Sequence, residues 1–230
     1  MSAPTAVVTG ASRGLGRELA RALAERGWRL VIDARGPEAL EAVRGELAEA
    51  TDVVALRGDV ADEKHRRALI AAAGRPVQLL VNNASELGPS PLPRLSVFPL
   101  EELERVYRTN VFAPLRLAQL ALPSIATGGR ILNLTSDAAV EAYEGWGGYG
   151  SSKAALDQLS MVLAAEHPQL RIYAVDPGDM RTEMHQRAAP GEDISGLPEP
   201  VESVPALLDL IEGQRPSGRY SVTELSASSV

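Results

Sequence analysis

The segment Thr9-Gly10-Ala11-Ser12-Arg13-Gly14-Leu15-Gly16 most constrains what this chain can fold into. It follows a short apolar run, residues 6–9, and leads into the alanine-rich helical pattern of residues 17–25. That order sets the free amides of a helix N-terminus beside backbone lacking Cβ atoms at Gly10, Gly14 and Gly16. Such a turn lets a phosphate approach closely, and the helix dipole favours its charge. A tight turn needed only to pack a helix on a sheet would use the same glycines, so the spacing by itself leaves both readings open.

Beyond the turn, short apolar runs keep alternating with helical patterns. Strands are predicted at 29–32, 53–56, 79–81, 130–134 and 171–175, with an edge strand at 220–222. Helices are predicted over 38–50, 63–73, 101–122, 149–166 and 201–211, and Pro114 should kink or divide the third of these. Residues 182–200 show no stable hydrophobic period and contain Pro190, Gly191, Gly196, Pro198 and Pro200. They read as a mobile surface segment near the ligand, or as a linker. The alternation predicts one α/β domain over 1–230, doubly wound, with a predominantly parallel seven-stranded sheet and helices on both faces. A β/α barrel would need an eighth unit that the pattern does not supply.

Composition narrows the partners. Twenty-three basic and 30 acidic side chains leave a net charge of −7, which disfavours duplex nucleic acid or an anionic membrane surface as the main partner. With no cysteine, disulfide and thiolate chemistry are excluded. His65, His167 and His185 have no metal-ligand spacing to nearby acids, so no metal is expected and surface or packing roles are assigned to them. No apolar run approaches the roughly 20 residues needed to span a bilayer. The opening residues MSAPTAVVTG show no basic-then-apolar leader pattern, and a cytoplasmic setting is the expectation.

Several positions could carry chemistry. Tyr149 and Lys153 are four apart, on one face of a predicted helix. A phenol can exchange a proton with an alcohol or carbonyl oxygen, and a neighbouring ammonium favours its phenolate. Taken alone, the spacing favours a packed tyrosine and a solvated lysine. Ser136 ends the strand-like ILNLTS run, with Thr135 as the neighbouring alternative, and Asn82-Asn83-Ala84-Ser85 follows the strand at 79–81. Pro177-Gly178, with Thr182 beyond, closes the strand at 171–175.

Together, the TGxxxGxG turn, the NNAS element, Ser136, the YxxxK pair and the PGxxxT segment resemble the short-chain dehydrogenase/reductase family in its NADP-preferring form, over nearly the whole chain. The resemblance implies a Rossmann-type fold and an enzyme that interconverts a small carbonyl compound and its alcohol by hydride transfer with NADP(H). It implies cofactor contacts from Gly10, Ser12, Arg13, Gly14, Leu15 and Gly16, adenine contacts from Asp59 and Val60, and nicotinamide-side contacts from Pro177, Gly178 and Thr182. Asn82 and Ala84 would line the cofactor wall or hold the central strand.

Catalytic roles implied in the same way are Ser136 holding the substrate oxygen, Tyr149 as acid/base and Lys153 on the cofactor ribose. Asn110 would support a proton relay. Arg13 and Arg35 match positions that meet the ribose 2′-phosphate of NADP, for which guanidinium forks are suited. Ala34 stands where many NAD-preferring relatives carry an Asp; Asp33, one residue earlier, should point to the other sheet face unless a bulge redirects it. Ser85 departs from the family's glycine. Trp146, Met184 and His185 could border the substrate, or pack or face solvent. A homodimer or homotetramer is implied, with Leu156, Leu159 and Leu163 available either to that interface or to the core. An epimerase or dehydratase on the same fold, or a non-catalytic NADP-binding protein, remain alternatives.

Overall fold

Hydrophobic alternation sorts the strands' side chains onto two buried faces. In the computed structural model, which describes residues 3–74 and 76–227, β1 (Thr5–Val8) buries all four of its residues. Ala6 and Val8 join one core and Val7 the other. β2 (Arg29–Ala34), β3 (Val53–Arg57), β4 (Val77–Asn82), β5 (Ile125–Leu134), β6 (Arg171–Asp176) and β7 (Gly218–Ser221) complete the sheet among the described residues. Its order is β3-β2-β1-β4-β5-β6-β7 and every pairing is parallel. Parallel strands need crossovers, and these supply the two covering layers.

On the face of Ala6 and Val8 lie α1 (Gly14–Glu25), α2 (Pro37–Leu47) and α8 (Pro200–Glu212), burying Leu19, Leu23, Leu40, Leu207 and Ile211. On the face of Val7 lie α3 (Glu63–Ala73), α5 (Ala113–Ala121) and α6 (Gly147–Glu166), burying Leu69, Leu117 and Leu163. Each such side chain contributes roughly 1.5–3 kcal/mol. The doubly wound, seven-stranded arrangement expected from the alternation is therefore the observed fold. Crossovers change face between β1 and β4, which opens a crevice at the carboxyl ends of these strands.

The division expected at Pro114 is observed, and three other local expectations need correction. The run at 101–122 is α4 (Leu100–Tyr107), a π-helical turn at Arg108–Phe112, and α5. Pro114 is accommodated in the first turn of α5; having no amide to give, it cannot satisfy the carbonyl that a regular α-helix would present at Asn110. Residues 182–200 contain a short helix, α7 (Glu183–Ala188), because the Thr182 hydroxyl accepts from the amide of His185 and caps it. β5 begins at Ile125, ahead of Gly128 and Gly129, and its pairing with β4 shifts register there. The edge strand predicted at 220–222 ends at Ser221, where α9 (Val222–Ala227) takes over.

Candidate active site

The crevice is a cavity of about 660 Å³ running from the glycine turn to Tyr149 and Lys153. Gly10, Ser12, Arg13, Gly14 and Leu15 line one side, Arg35, Asp59 and Val60 the adjoining one, and Ala84, Pro177 and Thr182 the far part. Gly10 holds φ +65°, and a Cβ there would sit 2.9 Å from the Cα of Ala84. Gly16 is not on the wall. Its bare Cα lets Asn83 reach the turn, where a Cβ would collide with the Asn83 amide nitrogen. Asn83 Nδ2 donates to the carbonyls of Thr9 and Gly10 at 2.8 and 3.1 Å, and Thr9 Oγ1 receives the amides of Asn83 and Ala84, both at 3.0 Å. The turn after β1 and the turn after β4 are thus bolted together.

Asn83, which the sequence motif left without a role, therefore does the locking. Asn82 is buried below the cavity and donates to Asn133 Oδ1 of β5 at 2.7 Å. Of its two expected roles it takes the one that ties the central strands. Its alternation with Asn83 follows the strand pleat, which turns neighbouring side chains to opposite sides.

At the other end α6 presents Tyr149 and Lys153 together, both buried. Lys153 Nζ donates to the carbonyl of Leu134 at 2.7 Å and lies 5.4 Å from the centroid of the Tyr149 ring. Burial draws the Lys153 ammonium down to about 8, opposed by the charge of Asp157. Burial pushes the Tyr149 phenol above its ordinary value; a hydrogen bond with the Ser85 hydroxyl lowers it, and the charges of Asp176, Asp137 and Asp179 raise it further. Ser85, the departure from the family's glycine, thus brings a hydroxyl to the Tyr149 end of the cavity.

Ser136 borders a second, smaller cavity of about 90 Å³ that shares Thr135, Tyr149, Pro177 and Thr182 with the first and adds Gly178, Trp146 and His185. Ser136 Oγ donates to Asp137 Oδ1 at 2.8 Å and accepts the amide of Ala138 at 3.2 Å. Arg219 of β7 donates to the Ser136 carbonyl at 3.0 Å and to Asp157 at 2.9 Å, a bracing contact invisible from local sequence because β7 is 83 residues away. Trp146 stacks edge-on against Tyr149 with ring centroids 5.8 Å apart, and Met184 packs on the same small cluster.

Asn110 sits in the π-helical turn, fully buried and off the cavity wall. Its Oδ1 accepts Ser85 Oγ and the amide of Glu86, while Nδ2 donates to the Glu86 carbonyl and to Ser152 Oγ. With both donors and two acceptor sites used, the side chain fastens the Ser85–Glu86 turn to α6. Any water in a relay would have to be held by other atoms than this side chain.

Residues 4–193 match the family model for short chain dehydrogenases. The chain belongs to the short-chain dehydrogenase family. This dehydrogenase is 34% identical over 186 residues to serine 3-dehydrogenase of Rhizobium radiobacter, covering 78% of this chain and 73% of that one. It is 35% identical over 199 residues to mouse sepiapterin reductase, covering 79% and 76%. A solved alcohol dehydrogenase of the archaeon Thermococcus sibiricus, complexed with 5-hydroxy-NADP, superposes with a TM-score of 0.84 at 28% identity over 95% of each chain. Family membership makes the protein an oxidoreductase of a nicotinamide-using family, as the sequence motifs implied. Among the described residues no cluster suited to a metal ion occurs, and no helix is long and apolar enough to cross a membrane.

Proposed function

We propose that this short-chain dehydrogenase interconverts a carbonyl compound and its alcohol with NADP(H), Tyr149 moving the proton. The observation that carries the reading is that one continuous cavity joins the glycine turn and two cationic arginines to a buried Tyr149–Lys153 pair. That cavity suits an extended dinucleotide: Gly14 and Leu15, at the N-terminus of α1, line it, as do Arg13 and Arg35, which would receive a 2′-phosphate. When bound, the nicotinamide supplies or accepts the hydride.

The protein's own part is positional and electrostatic. In reduction Tyr149 gives its hydroxyl proton to the substrate oxygen, which Ser136 holds after turning its own hydroxyl from Asp137. Lys153 stabilises the phenolate that remains, and its ammonium is near enough to the ring for that charge to count. In oxidation the same groups act in reverse. Leu134's carbonyl fixes the ammonium, so the pair is preset before substrate arrives.

A pH dependence follows from the direction of the Lys153 shift. Below about 8 the ammonium is present and favours proton release from Tyr149; above it the charge is lost while the phenol, pushed up by burial, remains protonated. Initial rates of carbonyl reduction at saturating cofactor and substrate should fall as pH rises, with a midpoint near that value. A rate that rises through the same interval would assign the titration to another group.

Arg13 pairs with Glu183 of α7, and Arg35 with Glu86 at 3.3 Å. A 2′-phosphate would displace these carboxylates and take both guanidiniums. Arg13→Ala and Arg35→Ala should each weaken NADP(H) binding by about tenfold, an allowance of about 1.4 kcal/mol for a partly solvated charge-assisted contact, with NAD(H) binding changed far less. Calorimetric titration of both cofactors tests this. Equal losses for the two cofactors would remove the phosphate role.

Self-association belongs to the same proposal. Leu156 and Leu163 are buried within this chain's own fold and Leu159 is half-buried, while Met161 and Val162 on α6 and Phe112 on the π-helical turn are exposed apolar groups that such an interface would cover. A cytoplasmic setting is proposed from composition alone.

A further inference from the structure

Asp33 poses a problem for an NADP site. It lies at the end of β2, lines the cavity beside Arg35, and is only 1% exposed. A free carboxylate there would repel a ribose phosphate and would accept from a ribose hydroxyl, favouring NAD. In the structure neither oxygen is free. Oδ1 accepts the Gly10 amide at 2.7 Å, and Oδ2 faces His65 Nε2 at 2.8 Å.

His65 is seated for this contact. It lies in the first turn of α3, 8% exposed, with its ring flat against the backbone of Gly58, where any Cβ would collide with it. A carboxylate only accepts, so the ring's Nε2 carries the hydrogen, whether the imidazole is neutral or charged. One side chain thereby links the turn bearing Asp59 and Val60 to the carboxylate that fixes the glycine turn.

We propose that His65 is a positioning residue that sets cofactor choice: by occupying Asp33 Oδ2 it hides an acceptor suited to NAD and leaves Arg13 and Arg35 to receive the 2′-phosphate. This rests on the NADP reading above. Removing the imidazole exposes an acceptor that attracts a hydroxyl and repels a phosphate, so discrimination arises from repulsion as well as attraction.

The test is calorimetric titration of NADP(H) and NAD(H) into the wild type and four variants, with no turnover required. His65→Leu should lower the ratio of NADP to NAD affinity by about tenfold, equivalent to about 1.4 kcal/mol. His65→Gln, whose amide can still donate to Oδ2, should keep most of the ratio. Asp33→Asn in the His65→Leu background should restore it, because the charge and not the shape is at issue. If His65→Leu weakens both cofactors alike, or the added Asp33→Asn fails to restore the ratio, the proposal is overturned. Asp33→Asn alone, which keeps an acceptor for Gly10, should leave the ratio nearly unchanged; a large rise would mean that His65 never masked the charge. A wild type that binds NAD(H) as tightly as NADP(H) would sink the cofactor reading, and a fall in the ratio on His65→Leu would still support the masking role.

Discussion

Changing Tyr149 to Phe should lower turnover by about 10²–10⁴-fold, the range for removing a positioned acid/base, while cofactor affinity stays within about twofold. The substitution deletes one oxygen and little else. The ring keeps its edge-on contact with Trp146 and its place among Leu87 and Ala138, and Lys153 remains fixed by the Leu134 carbonyl. Losing one mostly buried hydroxyl costs about 1 kcal/mol of stability, too little to unfold a domain of this size. Steady-state rates, cofactor titration and thermal unfolding of the same preparation separate these effects. Unchanged turnover in a folded variant would remove Tyr149 from the chemistry.

An equally large effect is expected at the opposite end of the cavity. Gly10→Ala places a side chain at φ +65°, which costs roughly 1–2 kcal/mol for an L-residue, and drives its Cβ to 2.9 Å from the Cα of Ala84. Backbone cannot yield as a side-chain tip can, so the glycine turn must move. It then loses the Gly10 amide's bond to Asp33 and the Asn83 bond to the Gly10 carbonyl. A stability loss of about 2–4 kcal/mol is expected, with cofactor binding weakened by at least about 100-fold. Gly27→Ala is the control: it has a similar φ of +76° but nothing within 4 Å of an added Cβ. It should show only the backbone cost and normal cofactor binding. Matching behaviour of the two variants would show that crowding against Ala84 is unimportant.

What the sequence made legible is what local pattern determines. The strand–glycine–helix opening, the parallel sheet and the shared face of Tyr149 and Lys153 all depend on periods of two or 3.6 residues and on glycine placement. What it hid depends on partners distant in the chain. Asp33 was ambiguous because its two partners, Gly10 and His65, are 23 and 32 residues away. His65, assigned to packing or surface, is a buried partner of that carboxylate. Asn83 was overlooked beside Asn82 because a motif does not tell which side of a strand end faces the turn. Asn110's four hydrogen bonds and the brace from Arg219 onto Ser136 are likewise tertiary. The helix at Glu183–Ala188 has too few residues for a periodic signal, although Thr182 before Glu183 was a readable cap.

The central claim is net hydride transfer at Tyr149, and its most direct test is stoichiometry. Purified wild-type protein is supplied with NADPH and a panel of aldehydes and ketones, and cofactor oxidation is followed by absorbance while products are identified by mass spectrometry. The account predicts one alcohol formed for each NADPH oxidised with at least one member of the panel, and loss of that activity in the Tyr149→Phe variant. Product that is isomerised or dehydrated with no net oxidation of the cofactor, or alcohol formation that survives Tyr149→Phe, would contradict it.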